Sequence, residues 1–180
     1  DQGDTLMLRD FAWLQFYCET NQEVLDTTLL AFKLAEDGRI LLPVMTCMDA
    51  FIVSHTQTET DLPEQEAVDR FLPDLHLPHR MHPDEARTLG GRTWPHDEFS
   101  MRREIDEAMN RVPSVYQECR QSFTEVFGRD PGDMIQTFGI EDADVILIVS
   151  GTMATTAREV VRRRRAGGGK IGLVKIKMFR

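Results

Sequence analysis

The stretch "PVMTCMDAFIVSHT", residues 43–56, places an acid, an aromatic ring and a Ser-His pair directly after an apolar segment. If that segment is a strand of a parallel sheet, then Asp49, Phe51 and His55 follow its carboxyl end, where ligands of such sheets gather. A structural interpretation is also open, in which Asp49 caps the next turn, Phe51 packs in the core and His55 lies at the surface. A Ser-His-Asp hydrolase is not supported, because Ser54 lacks the flanking glycines of a nucleophile elbow.

A second group of candidate ligands is the run "HLPHRMH", in which His76, His79 and His82 are spaced three apart. That spacing would face one metal ion only from a helix, and Pro78 and Pro83 disrupt a helix here. The pattern therefore favours a solvated loop over a zinc site.

Two further stretches give weaker signals. Ser150-Gly151-Thr152 stands at a strand-to-helix turn, whose free N–H groups are able to hold a phosphate, but the full GxGxxG pattern is absent. Asp4 and Arg9 lie in a polar N-terminal segment, for which the sequence supports only an ion pair.

The composition excludes several classes of partner. A formal net charge of −9 disfavours nucleic acid, and no stretch approaches the roughly 20 apolar residues that cross a bilayer. The three cysteines, Cys18, Cys47 and Cys119, lie far apart in apolar runs, which is typical of buried reduced thiols in a cytoplasmic protein. Because the chain begins without methionine and stops after a strand-like run, we expect it to be a piece of a longer protein.

The elements that position these residues begin with a strand–helix–strand unit. Residues 11–18 are apolar on both faces, Thr20 and Glu23 form a capping box, and Gly38 supplies a left-handed helix end. Residues 39–48 form the second strand, with Pro43 near its first residue. Such a unit predicts parallel strands joined by a right-handed crossover.

The middle of the chain is predicted to contain helical segments before and after one long connector. Asp61 caps a short helix, and residues 73–100 lose the apolar period among prolines, glycines and histidines. A helical period then returns, with Pro113 either kinking one helix or starting a second, and Gly128 ends the run. We expect the connector to wrap over another surface or to bind a partner.

From Asp142 onward the pattern is again strand, helix, strand: "DADVILIVSG", "TMATTAREVVRRRRAGGG" and "KIGLVKIKMF". The arginines at the end of this helix suit the negative end of its dipole. The sequence therefore predicts an α/β protein of two linked units, with their boundary between Gly128 and Asp142.

As a whole the chain resembles the alpha subunit of the pyruvate (2-oxoacid):ferredoxin oxidoreductases. The resemblance rests on several stretches in order: "RDFAWLQFYCETNQEVLDTTLLAFKLAE", "LLPVMTCMDAFIVSHT", "LPEQEAVDRFLP", "FTEVFGRD" and "DADVILIVSGTMATTAREVV…KIGLVKIKMFR". It implies a parallel-sheet thiamine diphosphate-binding domain of the pyrimidine type, present in part. Residues 1–72 would be the C-terminal part of that domain, 73–141 a wrapping arm and helical linker, and 142–180 the start of a domain like the C-terminal domain of transketolase.

The resemblance also implies an activity and its cofactors. In that family thiamine diphosphate with Mg²⁺ drives decarboxylation of pyruvate or a related 2-oxoacid, the acyl group passes to coenzyme A, and iron–sulfur clusters carry electrons to ferredoxin. Partners would be ferredoxin and the other oxidoreductase subunits or domains, including the diphosphate-binding one. The family's activating glutamate, its substrate-gripping arginine and its cluster cysteines match nothing here, so the segment alone would be inactive.

Five positions match the neighbourhood of the family's cofactor cleft: Asp4, Arg9, Asp49, Phe51 and His55. None matches a catalytic residue or a metal ligand. The family's usual Asp-Gly-Phe reads Asp49-Ala50-Phe51, which predicts a local backbone adjustment at Ala50. A different class of function stays open, namely a non-catalytic scaffold or interaction module derived from the same fold.

Overall fold

A computed structural model describes residues 2–86, 90 and 93–179 of the chain. Its first unit contains α1 (Gly3–Leu6), β1 (Leu14–Cys18), α2 (Asn21–Ala35) and β2 (Val44–Met48). β1 and β2 are parallel, and their register runs from Leu14 opposite Val44 to Cys18 opposite Met48. The predicted strand–helix–strand crossover is confirmed.

The ends of these elements differ in part from the prediction. The Thr20 hydroxyl accepts a hydrogen bond from the Glu23 N–H at 3.1 Å, as expected, but the Glu23 carboxylate reaches the N–H of Glu19, one residue before the cap. Pro43 directly precedes β2, and its carbonyl accepts from Leu14 at 2.9 Å. Both predicted strands were too long, because Ala12 and Leu41 adopt left-handed backbone angles.

The left-handed helix end predicted at Gly38 is wrong. α2 ends at Ala35 with Glu36 still in the right-handed helical region, and Gly38 is absent from the residues with positive φ. The chain instead turns at Leu41, where φ is 48°. The reversal therefore occurs three residues later than the glycine suggested.

In the described residues, the middle of the chain contains α3 (Gln65–Phe71) and α4 (Pro95–Phe127). The prediction that Asp61 caps α3 is wrong, since the N-cap residue is Glu64 and Asp61 instead pairs with Arg129 at 2.9 Å. Pro113 lies inside one continuous helix of 33 residues, and Gly128 ends it with φ 69°, as predicted.

The second unit contains β3 (Ile135–Phe138), β4 (Val145–Val149), α5 (Met153–Ala166) and β5 (Ile171–Ile176). β5 lies between its neighbours, parallel to β4 and antiparallel to β3. β3 had not been predicted. A short final strand, β6 (Met178–Phe179), leaves this sheet and pairs antiparallel with β1, giving the first sheet the order β2-β1-β6.

The described residues form two separate apolar clusters. The larger packs α2 and α4 against β1, with Leu14, Phe16, Leu30, Tyr116 and Phe123 among its most buried members. The smaller lies between α5 and the second sheet and contains Ala157, Val161 and Leu173. No helix in the described part of the chain is long and apolar enough to cross a membrane.

Candidate functional site

Two acids stand immediately after the two parallel strands of the first sheet. Glu19 follows β1 and Asp49 follows β2, so both lie at the carboxyl edge of the sheet. α5 of the second unit lies across this edge. Its N-cap residue Thr152 and its residues Thr155 and Arg158 are spaced three apart and so lie on one side of the helix.

Asp49 binds the first turn of α5. Its Oδ2 atom accepts from the Thr152 N–H at 2.7 Å and from the Thr152 hydroxyl at 2.6 Å. Gln2 donates to Oδ1 of Asp49 at 3.4 Å and accepts from the Ser150 hydroxyl at 2.9 Å. Burial alone would raise the pKa of Asp49, but the hydrogen bonds from Thr152 and Gln2 hold that pKa below its ordinary value.

Gly151 makes this contact possible. Its φ is +61°, and a Cβ placed there would lie 2.5 Å from Oδ2 of Asp49, closer than real Cβ atoms approach other atoms. The glycine in the strand-to-helix turn therefore leaves room for the Asp49 carboxylate. The Thr152 N–H, considered in the sequence as a phosphate donor, is bonded to Asp49.

Glu19 anchors a buried ionic cluster between the two units. It accepts from Arg158 at 2.5 and 2.9 Å, from the Thr155 hydroxyl at 2.7 Å and from Lys175 at 2.9 Å. Lys175 also donates to both carboxylate oxygens of Glu23 at 2.8 Å. Burial opposes ionisation of Glu19, yet the bonds from Arg158, Thr155 and Lys175 outweigh it and lower its pKa to about 2.

A second buried lysine extends this cluster. Lys177 is fully buried, donates to the Pro131 carbonyl and lies 3.5 Å from Glu23. Burial lowers the pKa of Lys177, because a charged ammonium loses its hydration there.

A cavity of about 960 Å³ opens between the end of β2 and the first turn of α5. Asp4 and Asp49 are its charged lining residues within the described part of the chain. Hydroxyl and amide groups come from Gln2, Thr5, Thr46, Ser150 and Thr152. The apolar wall consists of methionine and isoleucine side chains with one valine: Met45, Met48, Ile52, Ile148, Val149, Met153 and Ile176.

The structure brings together only part of the predicted site. Asp4 and Asp49 line the cavity, whereas Arg9 lies beside Asp10 at 3.7 Å and lines a different, smaller cavity. Phe51 is 75% exposed and stacks on His55 with ring centroids 4.9 Å apart, outside the cavity. The expectation that Phe51 packs in the core is therefore wrong.

The backbone adjustment expected next to Asp49 occurs one residue later than predicted. Phe51, not Ala50, has the left-handed φ of 64°. The Phe51 N–H donates to the Ser54 hydroxyl at 3.0 Å, and the Thr56 hydroxyl donates to the Phe51 carbonyl at 3.3 Å. Local hydrogen bonds thus hold a conformation that costs an ordinary side chain about 1–2 kcal/mol.

The remaining candidate groups are placed as follows. His76, His79 and His82 are exposed, and no group of three or more metal-binding side chains occurs among the described residues. Cys18 and Cys119 are buried as expected. Cys47 is only half-buried and lines the cavity, where burial raises its pKa to about 11.

Sequence reasoning missed the ionic cluster. The available signals were an acid directly after each parallel strand and the three-residue spacing of Thr152, Thr155 and Arg158. Nothing local marked Lys175 as buried, because its partners lie 152 and 156 residues away along the chain.

Comparison with known proteins assigns the chain to a family. The family described as pyruvate flavodoxin/ferredoxin oxidoreductase, thiamine diphosphate-binding, matches residues 1–121. Among curated proteins, pyruvate synthase subunit PorA of Methanothermobacter thermautotrophicus is 39% identical over 180 residues, all of this chain and 47% of that protein. The same subunit of Pyrococcus furiosus is 41% identical over 182 residues, covering 46% of its length.

A further relative and a solved structure broaden the comparison. Ketoisovalerate oxidoreductase subunit VorA of Pyrococcus horikoshii is 39% identical over 181 residues, 45% of its length. A solved 2-oxoglutarate:ferredoxin oxidoreductase from Magnetococcus marinus shares the fold with a TM-score of 0.59 at 15% identity, covering 92% of this chain and 31% of that one. The chain spans about half the length of the curated relatives it matches. It belongs to the pyruvate flavodoxin/ferredoxin oxidoreductase family, within the thiamine diphosphate-binding part of that family.

Proposed function

We propose that this chain is a segment of the alpha-type subunit of a 2-oxoacid:ferredoxin oxidoreductase. The complete complex would oxidatively decarboxylate pyruvate or a related 2-oxoacid to acyl-CoA and CO₂ and pass the electrons to ferredoxin. Full-length coverage of this chain by pyruvate synthase subunits at 39% and 41% identity supports the proposal. Relatives described as ketoisovalerate oxidoreductase subunits keep branched 2-oxoacids as candidate substrates.

The observation that best supports the proposal is the cavity at the carboxyl edge of the first sheet. Its methionine and isoleucine wall, with neutral donors from Gln2, Thr5 and Thr46, suits the flat aminopyrimidine end of thiamine diphosphate. It does not suit the diphosphate end, because no cationic side chain lines it among the described residues and two carboxylates do. We therefore assign Mg²⁺ and the diphosphate to a partner subunit or domain.

When bound, thiamine diphosphate supplies the carbanion that attacks the 2-oxo carbonyl. The residues of this chain would shape the pyrimidine side of the cleft and exclude water from it. Of the five candidate positions, we propose Asp4 and Asp49 for this task because they line the cavity, whereas Arg9, Phe51 and His55 lie outside it. Iron–sulfur clusters and coenzyme A would bind elsewhere in a cytoplasmic complex.

We also propose a domain organisation. Residues 1–72 would be the end of the pyrimidine-binding domain, 73–141 its arm and helical linker, and 142–180 the start of a domain like the C-terminal domain of transketolase. The connector, whose residues 73–86 are exposed, would contact another subunit.

One observation favours the alternative of a non-catalytic scaffold. The Asp49 carboxylate is bonded to Thr152 and Gln2 within the chain, so this acid has a structural task that needs no cofactor. The two functions differ in whether the complete protein binds thiamine diphosphate.

The deciding experiment uses the full-length subunit purified with its partner subunits. We expect 2-oxoacid-dependent and coenzyme-A-dependent reduction of a low-potential dye, and saturable binding of thiamine diphosphate. Asp49→Ala should weaken cofactor binding more than it slows single-turnover decarboxylation, whereas Asp74→Ala, a matched change in the exposed connector, should affect neither. A complex that neither binds the cofactor nor reduces the dye would establish the scaffold instead. Normal cofactor affinity with lost chemistry in Asp49→Ala would contradict the role given to Asp49.

A further inference from the structure

The two units meet at the carboxyl edge of the first sheet through polar contacts. The larger apolar cluster and the cluster of Ala157, Val161 and Leu173 are separate in the described part of the chain. Across this edge, α5 is held at two points by carboxylates. We call these the Asp49 clasp, formed by Asp49, Gln2, Ser150 and Thr152, and the Glu19 clasp, formed by Glu19, Glu23, Thr155, Arg158 and Lys175.

The two clasps differ in strength and burial. In the Glu19 clasp, the side chains of Glu19 and Lys175 are only 7% and 2% exposed, and three donors converge on one carboxylate. The backbone reinforces this end, because the Tyr17 N–H donates to the Lys177 carbonyl at 2.8 Å. The Asp49 clasp is only partly buried and forms part of the cavity wall.

We propose that α5 is a strap over the cavity, whose N-terminal end is bound and released by Asp49 while the Glu19 clasp stays closed as the pivot. Release moves Thr152 and Met153 away from Asp49, Met48 and Ile52, and so opens the cavity between them. The device is a property of this chain and does not depend on the proposed catalytic function.

The geometry explains why only the N-terminal end of α5 opens. An unbonded carboxylate at the Asp49 clasp is readily hydrated, since it lies beside an open cavity. Separating Glu19 from Lys175 would instead leave buried charges unpaired, which is far more costly. The helix also favours re-binding, because a carboxylate at its N-terminus interacts well with the helix dipole.

The test weakens the Asp49 clasp without changing any charge. In Gly151→Ala the new methyl group would fall 2.5 Å from Oδ2 of Asp49 and force the carboxylate away from Thr152. Gly168→Ala is the matched control, because its φ of +84° imposes the same backbone strain while no atom lies within 4 Å of the added Cβ. Both variants are made in the full-length subunit within its complex.

The first measurement is hydrogen exchange of residues 150–156. Loss of the charge-assisted bonds to Asp49 should speed exchange there by about tenfold in Gly151→Ala, and leave it unchanged in Gly168→Ala. The second measurement is maleimide labelling of Cys47, which lines the cavity, followed by mass spectrometry. Labelling of Cys47 should accelerate by a similar factor in Gly151→Ala and should not change in Gly168→Ala.

The buried thiols of Cys18 and Cys119 separate local opening from general unfolding, because a local release leaves both unlabelled. If Gly151→Ala fails to fold, Thr152→Val removes the 2.6 Å hydroxyl contact with no added strain and should give a smaller acceleration in both measurements. Unchanged exchange and labelling in the folded variant would overturn the proposal. So would labelling of all three cysteines at one common rate.

Discussion

Replacing Lys175 with methionine tests the ionic cluster that joins the two units. Methionine keeps a long unbranched side chain but removes the ammonium group that lies 2.9 Å from Glu19 and 2.8 Å from both oxygens of Glu23. Glu19 would retain Arg158, but Glu23 would keep only Lys177 at 3.5 Å among the cationic contacts of the described residues. The largely buried Glu23 carboxylate would therefore lose most of the positive charge that offsets its burial.

The free-energy cost of removing the Lys175 ammonium follows from the burial of its partners and from the pKa of Glu19. Removing one partner of a buried ion pair typically costs about 3–5 kcal/mol. Independently, the pKa of Glu19 falls from its ordinary 4.5 to about 2, which corresponds to about 3 kcal/mol of preferential stabilisation of the charged carboxylate. Because Lys175 is one of three donors to Glu19, its loss removes part of that stabilisation and adds the penalty at Glu23.

Hydrogen exchange of the β1 and β5 backbone amides in the full-length subunit measures this cost locally. We expect Lys175→Met to lower the free energy of opening by about 3 kcal/mol, so that exchange is faster by about two orders of magnitude. Lys170→Met makes the same chemical change at an exposed position and should shift the opening free energy by less than about 0.5 kcal/mol. If the two variants exchange alike, the ionic cluster does not hold the units together and the reasoning fails.

Three further outcomes follow from the same structure. Gly172→Ala should destabilise the second sheet by about 1–3 kcal/mol, because its Cβ would lie 2.7 Å from the Gly139 carbonyl oxygen. Gly38→Ala should not destabilise it, since the added Cβ has open space there, and urea denaturation monitored at the second sheet compares the two variants. Phe51 has a φ of 64°, so Phe51→Val should be less stable than Phe51→Gly by at least about 1 kcal/mol in thermal melts. Both variants lose the ring, and they differ in backbone strain. Because folding lowers the pKa of Glu19 to about 2, its carboxylate stabilises the fold fully above about pH 4.5, and this stabilisation is lost as pH falls toward 2. Glu19→Gln should therefore flatten the pH dependence of the unfolding free energy between these two pH values. An unchanged slope would contradict the role given to Glu19.

Local signals in the sequence predicted the crossover units well. The capping residue Thr20, the proline before β2 and the left-handed Gly128 each act within a few residues, so their chemistry is readable without knowing the rest of the fold. The same holds for β4, α5 and β5, because a continuous apolar run gives way to an apolar period of 3.6 residues where α5 begins. Family resemblance added the cofactor and the reaction, which these periods do not specify.

Long-range pairing was not readable in this way. The segment "KIGLVKIKMF" was predicted as one strand, but the chain leaves the second sheet after Ile176 and joins β1 at Met178. Lysines at alternate positions ordinarily face solvent, yet Lys175 and Lys177 are buried because Glu19 and Glu23 lie against them. β3 was missed because its four residues, "IQTF", are too few to establish a period.

The candidate site shows why a strand-end acid is ambiguous as a functional signal. The carboxyl edge of a parallel sheet gathers ligands because side chains and helix N-termini converge there, and the same convergence lets the chain supply its own anion. Here Asp49 occupies the donors at the start of α5 that would otherwise face the cavity. A ligand in this cavity that competes for the hydrogen bonds of Asp49 would therefore act on α5. A ligand that leaves these bonds intact would not. Asp49 would thus link occupancy of the cavity to the position of the N-terminal end of α5, whichever of the two proposed functions the complete protein has.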